Sequence, residues 1–202
     1  NISAVYPASC KPEDITAADL FSSIRNWFYL DMAVYGIYNH QVMSYLRDHD
    51  ALPEIKEGDM EILASGHPDF VAFNYYSTAT VGAFPEGEEV RPDGPVDQQK
   101  NGGEPGYYRP FPNPNLLKTE WGWEIDPIGF RNTLNQVYSR YRLPIIITEN
   151  GLGAHDKLEE DGTIRDDYRI EYLQRHIEQM QLAIDDGVQM MGYCPWSAVD
   201  LI

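Results

Sequence analysis

Residues Leu143–Gly153 read LPIIITENGLG, and this stretch decides the fold class. Pro144 cannot continue a helix, and the three isoleucines with Thr148 favour an extended chain. A polar trio follows at once: Glu149, Asn150 and Gly151, the last two being turn formers. A short apolar strand that ends in one carboxylate is the pattern of a buried parallel strand carrying a reactive group at its tip. Two other segments share it. Asp69–Tyr76 (DFVAFNYY) ends in Asn74 and two tyrosines, and Gln189–Trp196 (QMMGYCPW) ends in Trp196 beside Ser197. Continuous apolar runs of this kind predict burial on both faces of the sheet.

Helical patterns alternate with these strands. Pro127–Tyr141 places Ile128, Leu134, Val137 and Tyr138 at helical spacing. Asp167–Asp186 repeats Ile170, Leu173, Ile177, Met180 and Ile184 at intervals of three and four, which predicts its packing face; an acidic pair opens it and Gly187 follows it. Ile15–Asp48 reads as one long helical region, with Asp14 or Thr16 as its cap. Strand, helix, strand, helix, strand predicts an α/β fold with a parallel sheet, whose functional groups gather where the strands end.

Ser77–Lys118 differs from the rest. It holds seven of the 14 prolines and no helical period, so it predicts a long active-site loop, a lid with a flexible tip near Gln98–Gly106. A complete eight-stranded barrel needs about 250 residues. These 202 residues offer three clear strands and a fourth at Asn1–Tyr6, and they stop just after a strand. The expectation is one domain, 1–202, forming half of a (β/α)8 barrel and incomplete at both ends.

Composition narrows the function. With 32 acidic residues against 15 basic ones, the formal charge of −17 repels phosphate backbones, so nucleic acid is not an expected partner. No apolar run reaches the 18 or so residues of a membrane span, and Asn1 is followed by no leader-like segment. Cys10 and Cys194 stand far apart and read as free thiols of a reducing cytoplasm, although one disulfide between them stays open. Gly151 and Gly153 lack the third glycine of a dinucleotide fingerprint, Lys157 stands where a calcium loop needs an acid, and the five histidines show no metal-ligand spacing. Neither metal nor cofactor is expected.

A carboxylate held rigidly at a strand end can attack an anomeric carbon, as retaining glycosidases require. By itself, Glu149 could equally be a strand-end acid in a salt bridge. The wider text favours the first reading. ITENG closely resembles the nucleophile motif of glycoside hydrolase family 1, and further segments resemble that family in the same order. NISAVYPAS (Asn1–Ser9) resembles its fifth-strand region, HPDFVAFNYYST (His67–Thr78) its sixth-strand motif, EWGWEIDPIGFR (Glu120–Arg131) the entry to its seventh unit, and GYCPWSAVDLI (Gly192–Ile202) its eighth strand. The resemblance spans essentially the whole chain.

It implies a barrel contributing about strands 5 to 8, with Glu149 as nucleophile and Tyr76 donating the hydrogen bond that holds it. Asn74 is implied to order the strand end around the glycone, and Trp196 to pack on the sugar ring. On spacing alone, Asn74–Tyr76 could be an aromatic cluster and Trp196 a core residue. The family's acid/base motif, T-x-N-E-P, does not occur here, nor do the glycone-binding residues of its earlier strands. An N-terminal half of the barrel is therefore an expected partner, and the chain alone is expected to be inactive. Asp-Leu-Ile after Cys-Pro-Trp resembles the branch that hydrolyses 6-phospho-β-glucosides, in which a serine follows where plain β-glucosidases carry a sugar-binding glutamate. A β-glucosidase or β-galactosidase on unphosphorylated sugars, and a non-catalytic carbohydrate-binding protein, are the alternatives.

Overall fold

A computed structural model describes residues 1–88 and 102–197. In chain order the elements are β1 (Val5–Pro7), α1 (Pro12–Ser22), a π-helical turn (Ser23–Trp27), α2 (Phe28–Tyr35), α3 (His40–Asp48), α4 (Asp59–Ser65), β2 (Val71–Tyr75), β3 (Ala79–Gly82), β4 (Arg109–Phe111), β5 (Leu117–Lys118), β6 (Glu124–Ile125), α5 (Pro127–Tyr141), β7 (Ile145–Gly151), α6 (Asp167–Asp185) and β8 (Met190–Trp196). They gather into two compact units.

The first unit comprises Asn1–Ala4, Phe70–Thr78 and the chain from Asn113 onward. Its centre is a parallel sheet in the order β2-β7-β8. Helices α5 and α6 cover one face, burying Val71, Phe73, Tyr75, Ile145 and Ile147 against Phe130, Leu134 and Val137. Asp126 starts α5: its carboxylate accepts from the Gly129 N–H at 2.7 Å and from the Thr78 hydroxyl at 2.9 Å, and Pro127 follows at the first helical position.

Burial on both faces does not hold. Ala72, Thr148, Met191 and Cys194 are exposed, because the helices shield only one side of the sheet. The packing face of α6 is also turned from the predicted one. Ile170, Ile177 and Ile184 face solvent, whereas Tyr172, His176 and Ala183 are buried, roughly 100° further round the helix. Aliphatic spacing misleads here because the residues that meet the sheet are an aromatic and an imidazole carrying hydrogen bonds.

The second unit comprises Val5–Asp69 and Ala79–Pro112. Here β3 pairs in parallel with β1 and antiparallel with β4, and Ala17, Ala18 and Phe21 of α1 pack on Ala79 and Val81. The N-terminal strand is thus Val5–Pro7 rather than Asn1–Tyr6, and it belongs to this sheet, not to the one that carries Glu149. The long helical region breaks at Gly36, whose φ of +65° ends α2, and α3 restarts behind Asn39, whose side chain accepts from the Gln41 and Val42 N–H groups. Neither Asp14 nor Thr16 caps α1. The helix begins at Pro12 behind Lys11, while Asp14 accepts from the Ser9 hydroxyl and the Ala83 N–H. The stretch from Ser77 to Lys118 is not wholly a loop, since β3, β4 and β5 lie within it. Of its expected tip, residues 98–101 fall outside the described residues.

Candidate active site

Three strand ends converge in the first unit: Tyr76 just after β2, Glu149 on β7 and Trp196 on β8. In register, Phe73 pairs with Ile147, but Asn74 pairs with Glu149, so Thr148 is an extra residue in β7. Against β8 the same excess recurs, Ile147 pairing with Tyr193 and Asn150 with Pro195. This bulge matters because side chains alternate along a strand. Ile145 and Ile147 point to the helices, and strict alternation would send Glu149 after them. Instead Thr148 and Glu149 both reach Asn74 on the open face, and Asn150 takes the buried side.

Glu149 Oε2 accepts two hydrogen bonds, from the Tyr76 hydroxyl at 2.5 Å and from Asn74 Nδ2 at 2.7 Å. The Thr148 hydroxyl donates to Asn74 Oδ1 at 2.5 Å, which turns the amide so that its nitrogen faces the carboxylate. Among the described residues, no hydrogen bond reaches Glu149 Oε1. One oxygen is thus held by two donors, and the other accepts none among the described residues. Burial, and then the Glu149 carboxylate itself, push the Tyr76 phenol well above its usual range, so it stays protonated and remains a donor.

Aromatic rings border the carboxylate. Trp196 meets Tyr76 edge to face at 5.5 Å between centroids, and Trp123 lies 5.6 Å from Tyr76 and 6.2 Å from Trp196. Trp121 continues the row 5.3 Å beyond Trp123. Two glycines admit this packing. A Cβ on Gly151 would lie 1.7 Å from the Trp196 carbonyl oxygen, and one on Gly153 would lie 2.1 Å from the Trp121 ring. Half-buried indoles beside a carboxylate offer flat apolar faces of the kind that pack on sugar rings. Among the described residues no group of three or more metal-ligating side chains comes together.

Glycosyl hydrolase family 1 matches the chain over residues 1–202. The chain belongs to that family. The family 1 chain is 45% identical to the aryl-phospho-beta-D-glucosidase BglC of Bacillus subtilis, over 99% of this chain and 43% of that protein. It is 41% identical to the phospho-cellobiase of Klebsiella oxytoca, over 98% of this chain and 40% of that protein. It superposes on a family 1 β-glucosidase from Thermotoga maritima with a TM-score of 0.80 at 34% identity, covering 97% of this chain and 40% of the other. The family 1 chain thus spans about two fifths of the length of the curated relatives it matches.

All four residues expected at the site lie in the first unit of the family 1 chain, and three of them, Asn74, Tyr76 and Glu149, form one hydrogen-bonded group. Sequence reasoning did not single out Trp121 and Trp123, although the doubled tryptophan of WGW in a loop was a visible signal. It also missed Thr148, whose role depends on a bulge that no local pattern announces, and Tyr172 and Tyr193, which reach the site only through packing. Of the tail that carried the branch resemblance, Ala198–Ile202 lies outside the described residues.

Proposed function

We propose that this chain is the part of a retaining β-glycosidase, acting on 6-phospho-β-glucosides, that supplies about strands 5 to 8 of its barrel within a single catalytic domain. The observation that carries the reading is the Glu149 carboxylate, with Oε2 fixed by Tyr76 and Asn74 and Oε1 without a hydrogen bond among the described residues. An oxygen so presented attacks the anomeric carbon, forming a C–O bond to Glu149 as the bond to the leaving oxygen breaks. That oxygen takes a proton from a second carboxylic acid about 5 Å away. Water then gives a proton to that second carboxylate, now acting as base, and attacks the anomeric carbon, breaking its bond to Glu149 and freeing the carboxylate. Since the T-x-N-E-P motif is absent from this sequence, the N-terminal half of the barrel supplies the acid/base. Trp196 and Trp123 hold the glycone and the neighbouring group.

The phosphorylated substrate is supported by the aryl-phospho-glucosidase and phospho-cellobiase names of the relatives and by the Asp-Leu-Ile text after Trp196. Among the described residues no helix is long and apolar enough to cross a membrane, and Cys10 and Cys194 are both free, which fits a cytoplasmic enzyme. The test uses the full-length enzyme. Glu149→Gln should remove turnover while circular dichroism stays that of the parent, and a 2-deoxy-2-fluoro glycoside 6-phosphate should label Glu149 alone. A label elsewhere, or near-normal activity in the variant, refutes the assignment. Equal turnover of 4-nitrophenyl β-glucoside and its 6-phosphate refutes the substrate class.

A further inference from the structure

Glu149 faces the open side of the sheet because Thr148 is bulged out of the ladder instead of taking a regular position in it. A bulge leaves the ladder locally disrupted, so its register needs other support. The next residue, Asn150, is wholly buried, and its amide touches three elements at once. Nδ2 donates to the Tyr75 carbonyl of β2 at 2.9 Å and to the Tyr172 hydroxyl of α6 at 3.1 Å. Oδ1 accepts from the Tyr193 hydroxyl of β8 at 2.8 Å. The Tyr172 hydroxyl donates in turn to the Tyr76 carbonyl at 3.3 Å. His176 steadies Tyr172: its ring stacks on the phenol at 3.9 Å, and its Nδ1–H donates to the Tyr172 carbonyl at 2.7 Å.

We propose that Asn150, Tyr172 and Tyr193 are positioning residues, a buried lock that fixes the bulge and thereby aims Glu149 and Tyr76. The proposal rests on Glu149 being the nucleophile. Each bond of the lock has one possible direction, since an amide nitrogen only donates and a carbonyl only accepts. Tyr172 must therefore take a hydrogen bond from Asn150 and give one to Tyr76. The lock ties together the ends of all three strands that carry the candidate site: β2 leads into Tyr76, β7 holds Glu149 and β8 holds Trp196. Burial of one face rejects a one-residue slip, because that would turn the apolar side chains outward, and the amide adds fixed partners in β2, β8 and α6 at the bulge itself. Misplacing a reacting group by an ångström costs about 100-fold in rate, so small slips at the bulge register in turnover.

The test compares Tyr172→Phe, Tyr193→Phe and Asn150→Ala in the full-length enzyme with Thr133→Val as the control. Thr133→Val loses a buried hydroxyl on α5, one that donates to the Gly129 carbonyl at 2.7 Å and accepts from the Ala4 N–H at 2.8 Å, away from the bulge. Tyr172→Phe should lower kcat about 10- to 100-fold and leave KM within about 2-fold of the parent value. It should also slow covalent labelling of Glu149 by the fluorinated glycoside in proportion. Thr133→Val should lower the melting temperature and leave kcat unchanged. Should Tyr172→Phe keep the parent kcat, or should both variants lose kcat in step with stability, the lock is only structural and the proposal is overturned. If Asn150→Ala fails to fold, the two tyrosine variants decide, because each keeps its ring and its packing. Labelling of a residue other than Glu149 in the parent enzyme defeats the nucleophile assignment instead, whatever the variants do.

Discussion

Tyr76 and Asn74 both donate to Oε2 of Glu149, and the balance between them sets how firmly that oxygen is held. Removing the Tyr76 hydroxyl leaves Asn74, itself oriented by Thr148, so the carboxylate keeps one anchor. A hydrogen bond to a charged group contributes roughly 1.5–3 kcal/mol. Tyr76→Phe should therefore slow glycoside hydrolysis about 10- to 150-fold without abolishing it. Steady-state kinetics on the full-length enzyme check this, and an unchanged rate would mean that Asn74 alone holds the carboxylate. At this scale much was legible in the sequence. ITENG and FNYY are local texts, and their polar residues stand where a strand pattern ends. Thr148 was not legible as anything but strand, because a bulge is defined by the neighbouring strands and not by the residue that makes it.

Helix α6 was located within one residue, but its buried face was misjudged, and His176 shows why. Its imidazole is fully buried between Tyr172 and the sheet, a place that hydropathy periodicity assigns to aliphatic side chains. Burial favours the neutral ring and brings its pKa from 6.5 down to about 4. A folded value below the unfolded one means that the unfolded chain binds the proton more readily. The stabilising contribution is thus fully present above pH 6.5 and is lost as pH falls toward 4. The difference is worth about 3 kcal/mol at 1.36 kcal/mol per pH unit. Melting temperature followed from pH 7 to pH 4 should fall more steeply for the parent than for His176→Phe, which keeps a ring but cannot ionise. Parallel curves would show that His176 does not govern acid sensitivity. The strands β3 and β4 escaped notice for a related reason: their partners lie far along the chain, and the prolines around them resemble loop text.

For the molecule as a whole, chemistry and association both depend on what joins the chain. Retaining hydrolysis needs two carboxyl groups about 5 Å apart, and the sequence carries a motif for only one of them. Strands β2 and β8 stand at the edges of their sheet, and open edges favour pairing with other chains. The 202 residues expressed alone should therefore self-associate and fail to hydrolyse 4-nitrophenyl β-glucoside or its 6-phosphate, gaining activity when the N-terminal half is added. Steady turnover by the lone chain, lost in Glu149→Gln, would show that it carries its own acid/base. The barrel was legible at this scale through the family resemblance. Strand patterns alone yielded an α/β sheet without its closure, since closure is a property of all eight strands together.

The extra residue in β7 is a spare position in the alternation of the strand. Deleting the codon for Thr148 would remove one small polar side chain and leave charge and apolar content unchanged. Ile147 would then be followed directly by Glu149, and plain alternation would carry Glu149 to the open face and Asn150 to the helix side, as the bulge does now, so the loss would fall on the Thr148 hydroxyl that turns Asn74. The bulge thus separates two properties that a strand usually couples, the number of its residues and the direction in which each one points.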